Sequence, residues 1–168
     1  MKTAECVSPK HPDKLCDRVS DALLDKYLEN DPNARCAIEV CGGHSNVFIT
    51  GEVTSNYQIS DNEIEEITKK ITGADKGIIH LNSQSPEISR GVDSGGAGDQ
   101  GIMIGYACNE NNEMVPQEYY LARKLNQEVY KIFPYDGKTQ VTLSGNLVRV
   151  VCSFQNAKKE ELIEICQD

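Results

Sequence analysis

The chain has 168 residues, 39% hydrophobic and 26% charged, which leaves room for one domain or two small ones and excludes wholesale disorder. A net charge of −9, with no basic stripe carrying interleaved aromatics, argues against nucleic-acid binding as the main role. No apolar run approaches the ~20 residues that a membrane-spanning helix needs.

The N-terminus, Met1-Lys2-Thr3-Ala4-Glu5, lacks the apolar core of a signal peptide. The seven cysteines are odd in number, scattered and without a Cys-x-x-Cys pair. Reduced thiols in a cytoplasmic protein account for them better than a disulfide framework or a zinc site.

In chain order, a strand is predicted near Ala4–Val7, followed by the cluster Ser8-Pro9-Lys10-His11-Pro12-Asp13-Lys14. Two readings of this cluster stay open. It is a helix start with Pro12 in the first turn and Asp13 favoured by the helix dipole. Alternatively, lysine, histidine and the helix N-terminus hold an anion while Asp13 helps to bind a hard cation such as Mg²⁺. An amphipathic helix follows to about Glu29, with Leu15, Val19 and Leu23 four apart and Cys16, Leu24, Tyr27 and Leu28 widening the stripe. Asp31-Pro32-Asn33 ends it.

Cys36–Cys41 and Val47–Thr54 read as strands joined by a Gly42-Gly43-His44-Ser45 turn. Glu39 and Glu52 lie on them, either on a solvated face or at a site. Ser60 and Glu63 form a capping-box pattern ahead of a helix carried by Ile64, Ile67 and Ile71 and stopped near Gly73. A flanking strand over Gly77–Leu81, a polar loop over Asn82–Gln100 and a strand at Ile102, Ile104 and Tyr106 come next.

Within that loop, Gly96 to Gly101 matches G-x-G-x-x-G literally. A dinucleotide fingerprint must follow a strand and open a helix, and here it does neither. The glycines serve either a tight loop or the approach of backbone and Asp99 to a ligand. Pro116 opens a helix predicted to face its core with Leu121, Leu125, Val129 and Ile132. Thr139–Leu143 and Leu147–Phe154 form a second hairpin across Ser144-Gly145-Asn146, and Ala157–Gln167 a last helix.

The order helix, hairpin, helix therefore occurs twice, which predicts an α+β protein with helices on one face of each sheet. The units are expected at residues 1–100, including the glycine-rich loop, and 101–168. The second lacks a final strand, which leaves a sheet edge exposed.

Taken together, the segments resemble the S-adenosylmethionine synthetase (methionine adenosyltransferase) family in that family's order. They run from Val7-Ser8 and His11-Pro12-Asp13-Lys14, through Ser20-Asp21-Ala22 and Asp31-Pro32-Asn33-Ala34-Arg35, to Gly51-Glu52-Val53-Thr54. Gln84-Ser85-Pro86, Gly91-Val92-Asp93, Gly96–Gly101 with Gly105-Tyr106-Ala107, and Lys138-Thr139-Gln140-Val141-Thr142 complete the match. The resemblance covers roughly residues 4–154 and implies the family fold of three similar α+β units, two of them here.

It also implies a reaction in which methionine sulfur attacks C5′ of ATP and expels the triphosphate, which is then hydrolysed to phosphate and pyrophosphate. By resemblance, His11 and Lys138 contact the phosphates, Asp13 binds Mg²⁺ and Glu39 holds an activating K⁺. Glu52 and Gln84 contact methionine, and Asp99 lies near its amine and the developing sulfonium. The implied catalytic set is His11, Asp99 and Lys138.

Three departures stand out. Lys10 replaces the glycine usual before His11, the Gly91–Gly96 loop is short, and the family's later half is missing. That half carries a second Mg²⁺-binding aspartate, a glycine-rich phosphate loop and several Arg and Lys residues. The expectation is an N-terminal subunit completed by a second chain as a hetero-oligomer. The alternative is a non-catalytic ligand-binding or regulatory module that associates with a synthetase.

Overall fold

The computed structural model describes residues 1–93, 95–98 and 100–167, with the backbone alone at Lys76, Ile88 and Asp93. Its elements are β1 (Lys2–Val7), α1 (Pro12–Asn30), β2 (Arg35–Gly43), β3 (Asn46–Thr54), α2 (Asp61–Thr72) and β4 (Lys76–Asn82). They continue with α3 (Pro86–Asp93), α4 (Gln117–Ile132), β5 (Gly137–Ser144), β6 (Leu147–Phe154) and α5 (Lys159–Gln167). Contacts divide the chain into two compact units, Leu15–Met103, and Met1–Lys14 with Ile104–Asp168. The α+β expectation holds: each unit carries one three-stranded sheet.

In the unit Leu15–Met103 the order is β2-β3-β4. β2 and β3 pair antiparallel from Arg35↔Thr54 to Gly43↔Asn46, and β4 lies parallel to β3 after the crossover through α2. Cys16, Val19, Leu23 and Tyr27 are buried along α1, the four-residue spacing its sequence predicts. Val19, Leu23, Ile38, Val47, Ile49 and Ile64 belong to one apolar cluster. The start of α2 is capped by Ser60, whose hydroxyl accepts from the Glu63 amide at 3.3 Å. Its end is closed by Gly73 at φ 75°.

The hairpin turns on His44 and Ser45 alone, both at positive φ (50° and 63°), as a two-residue primed turn needs. The predicted turn glycines, Gly42 and Gly43, are instead the last residues of β2.

In the second unit the order is β1-β5-β6. Both pairings are antiparallel, with β1 running from Lys2↔Leu143 to Val7↔Lys138. The strand predicted to flank the first hairpin thus belongs with the second. α4 packs on β1 and β5, but its buried residues are Ala122, Asn126 and Val129. This corrects the stripe of Leu121, Leu125, Val129 and Ile132 by one position, and Ile132 is 60% exposed.

Hydrogen bonds explain the rotation. Asn126 Nδ2 donates to the Cys6 carbonyl at 3.0 Å, and Thr139 Oγ1 donates to the Ala122 carbonyl at 2.7 Å. Small and polar residues let helix and sheet approach, which a leucine face would prevent.

Two further expectations are corrected. The polar loop contains α3, which contiguous loop composition hides. The strand at Ile102, Ile104 and Tyr106 does not form; among the described residues nothing pairs with it, and residues 101–107 are all exposed. No helix among the described residues is long and apolar enough to cross a membrane.

Candidate functional site

Ser8 ends β1 and organises the turn that follows. It is fully buried, because its polar atoms are all engaged within the unit Met1–Lys14 with Ile104–Asp168. Its amide donates to the Gly137 carbonyl at 2.8 Å, and its hydroxyl donates to the Tyr135 carbonyl at 2.9 Å. The same hydroxyl accepts from the amides of Gly137 at 3.1 Å and Lys10 at 3.3 Å, while the Ser8 carbonyl accepts from the His11 amide at 3.0 Å. One residue therefore fastens the His11 turn to the start of β5, where Lys138 stands one position on. The sequence marks Ser8 only as a residue before proline and carries no signal of this role.

Pro12 is the first residue of α1, where a fixed φ and a missing N–H suit the helix start. The Asp13 amide donates to His11 Nδ1 at 3.2 Å, and Asp13 Oδ2 lies 3.6 Å from that nitrogen. A ring whose Nδ1 accepts carries its neutral-state proton on Nε2, a donor suited to a phosphate oxygen. Asp13 is 78% exposed, a single open carboxylate. Mg²⁺ is commonly held by one or two carboxylates plus substrate phosphates and water, so this residue fits as one ligand of such an ion. Among the described residues no cluster of three metal-ligating side chains exists.

Lys138 reaches Glu5 Oε1 at 2.7 Å on the face of the sheet turned away from α4. With both partners about half exposed, this pair holds the lysine in place rather than burying it.

In the unit Leu15–Met103 the register puts Glu39 opposite Thr50, and Glu52 opposite Ala37 and Asn82. Ile38 and Ile49 are buried, so alternation turns Glu39 and Glu52 to the opposite face of the sheet, with Glu39 exposed and Glu52 partly buried. Gly51, at φ 138°, precedes Glu52; a Cβ there would fall 2.0 Å from the Ala37 carbonyl oxygen, so only glycine fits.

Gln84 follows β4, and its Oε1 accepts from Arg35 Nε at 3.2 Å. A second nitrogen of the same guanidinium donates to Ser89 Oγ of α3 at 3.2 Å. Arg35 is thus a positioning residue for Gln84. Its only sequence signal is a place at the end of Asp31-Pro32-Asn33-Ala34-Arg35.

Asp31 is the anchor of that segment. It accepts from the amides of Asn33 (3.1 Å) and Asn56 (2.7 Å) and from Ser55 Oγ (2.8 Å). The Asn56 amide first, and then the Ser55 hydroxyl, hold its carboxyl below the usual carboxylate range.

The glycine loop folds back on α3. Gly96 N donates to the Gly91 carbonyl at 3.0 Å, and a Cβ at Gly96 would lie 2.6 Å from that oxygen. A Cβ at Gly98 would stand 3.8 Å from Gln84 Nε2, so this stretch of the loop lies beside that amide. Asp99 lies outside the described residues. The structure thus gathers His11, Asp13 and Lys138 into one unit, and Glu39, Glu52 and Gln84 into the other.

Comparison with known proteins adds a second line of evidence. Residues 1–93 match the S-adenosylmethionine synthetase N-terminal domain and residues 94–166 the central domain of the same family. The S-adenosylmethionine synthase of Acholeplasma laidlawii is 39% identical over 200 aligned positions, covering 99% of this chain and 52% of that protein. That alignment is longer than this chain, so the relative carries residues lacking here within the matched part. The Clostridium tetani enzyme of the same name is 40% identical, covering 84% of this chain and 44% of its own length. Among solved structures, an unusual S-adenosylmethionine synthetase from Campylobacter jejuni superposes with a TM-score of 0.77 at 30% identity, over 99% of this chain and 53% of that one. The chain spans about half the length of the curated relatives it matches.

Proposed function

Because the chain belongs to the S-adenosylmethionine synthetase family through its N-terminal and central domains, we propose that it is the N-terminal subunit of a split methionine adenosyltransferase. In this reading a second chain carries the family's C-terminal motifs, and the hetero-oligomer makes S-adenosylmethionine from ATP and L-methionine. The observation that carries it is the pairing of two complete domain matches with half the relatives' length.

The chemistry asks little of a general base. The methionine thioether forms a bond to C5′ while the C5′–O bond breaks, and the electron pair leaves with triphosphate. The protein must align the two reactants and neutralise the leaving group. His11 Nε2 and Lys138 Nζ are assigned to the triphosphate, and Asp13 to Mg²⁺. Glu39 is assigned to K⁺, Glu52 and Gln84 to methionine, and Asp99 to its amine and the developing sulfonium. Bound Mg²⁺ supplies charge neutralisation at the phosphates.

The net charge of −9 favours a partner that brings cations, since this chain holds too few for a polyphosphate. Cytoplasmic placement, and the sequence division into a unit over 1–100 and an incomplete one over 101–168, belong to the same proposal. That cation shortage is also what favours the second reading, a non-catalytic module that binds a ligand or regulates a synthetase.

The test is purification from the native host, followed by assay with ATP and methionine. A two-chain complex that makes S-adenosylmethionine, with this chain alone inert, supports the split enzyme. Substituting His11→Ala or Lys138→Ala in that complex should lower kcat by about 100-fold or more. An inert homo-oligomer that inhibits an intact synthetase supports the regulatory module.

A further inference from the structure

The two units show which strand positions a complete unit of this fold fills. Around the hairpin β2–β3, a strand lies parallel to the second hairpin strand: β4 on β3. Around the hairpin β5–β6, a strand lies antiparallel to the first hairpin strand: β1 on β5. Overlaying the two patterns gives a four-stranded template of lead-in strand, hairpin and parallel strand. Against that template the outer edge of β2 lacks its lead-in strand, and the outer edge of β6 lacks its parallel strand.

β1 also shows where a lead-in strand goes. It runs directly into α1, yet it adds to the sheet of the other hairpin. Residues 101–107 hold the corresponding place ahead of α4. Among the described residues they pair with nothing, and Ile102, Met103, Ile104 and Tyr106 are 93%, 97%, 90% and 73% exposed. Four large apolar side chains in an extended, unpaired run are the signature of a strand that adds to another sheet.

We propose that residues 101–107 dock onto the second chain by strand addition, lying antiparallel along the edge of a hairpin in that chain as β1 lies along β5. This rests on the two-chain reading above and says how the chains join. The open edges of β2 and β6, the latter beside a groove of about 630 Å³ lined by Val150, Cys152, Leu162 and Cys166, are the seats that the same missing unit fills in return. Three open positions, one donor and two acceptors, are the number that a single further unit of this template closes. The run from Gly101 to Ala107 is uncharged, which suits burial in a sheet and distinguishes it from the acidic remainder of the chain.

Amide hydrogen exchange on this chain alone and on the two-chain complex tests the proposal. In the chain alone, amides 102–107 should exchange within about tenfold of an unstructured peptide, and in the complex at least about 100-fold more slowly. Ile104→Pro removes one ladder donor at a 90% exposed position, so it should leave Tm unchanged and weaken the complex by about 10-fold or more, while Ile104→Val binds normally.

An active two-chain complex with unchanged exchange at 102–107 overturns strand addition and leaves the split enzyme standing. A chain that makes S-adenosylmethionine without a partner overturns both. Protection at 102–107 in a homodimer overturns the choice of partner, because a second copy then provides the sheet.

Discussion

The unit built on β2–β3 and the unit built on β5–β6 share an element order and hold themselves together differently. In the first, α1 and α2 bury Val19, Leu23 and Ile64 against Ile38, Val47 and Ile49, an apolar cluster closed by the crossover to β4. In the second, α4 is fastened by Asn126 and Thr139 to main-chain carbonyls, and α5 contributes no buried residue. An apolar core tolerates any sheet that covers it, whereas hydrogen-bonded contacts demand one geometry. The unit carrying His11, Asp13 and Lys138 is the one held by such contacts.

The largest effect should come from Gly51→Ala, which drives a Cβ into the Ala37 carbonyl and should cost about 4 kcal/mol or prevent folding. Circular dichroism melting reads it directly, and a fold that survived with little change in Tm would show that β2 and β3 can separate there. Leu23→Ala should follow, at about 3 kcal/mol in urea unfolding, because the side chain is fully buried in a packed apolar cluster.

Ser8→Ala should cost about 2 kcal/mol, since the Gly137 and Lys10 amides lose their acceptor in a buried place. In the active complex it should also raise KM for ATP, as the His11 turn loosens from β5. A stability loss with an unchanged KM would separate Ser8 from the site.

Asp31→Asn sharpens the comparison through pH. The folded carboxyl is held low by the Asn56 amide and the Ser55 hydroxyl, so its contribution is complete above the unfolded value of about 4 and is lost as pH falls through the lower folded value. The variant should therefore melt lower than wild type at neutral pH and converge with it under acid. Parallel curves at every pH would remove Asp31 from that role. Ile163→Ala on α5 should change stability by no more than about 0.5 kcal/mol, because that side chain is 45% exposed. A larger loss would mean that α5 packs more tightly than its exposure indicates.

Thiol chemistry gives a separate check on α5. Burial, with Cys166 beside it, pushes the Cys152 thiol up to about 12. Alkylation near neutral pH, followed by peptide mapping, should modify exposed Cys41 well before Cys152.

The sequence by itself determined the helices, both hairpins, the order of elements and the family. Each rests on local signals: the four-residue stripe from Cys16 to Tyr27, the Ser60 cap, Gly73 and the motif around His11. Tertiary structure decided what local signals do not carry. Strand alternation leaves open which face of a sheet is covered, so the orientation of Glu39 and Glu52 waited on α1 and α2. Long-range pairing placed β1 against β5, some 130 residues along the chain. Hydrogen bonds to Cys6 and Ala122 turned α4 off its leucine stripe, and a missing partner kept residues 101–107 from becoming a strand, because β propensity becomes a strand only when another strand accepts its hydrogen bonds.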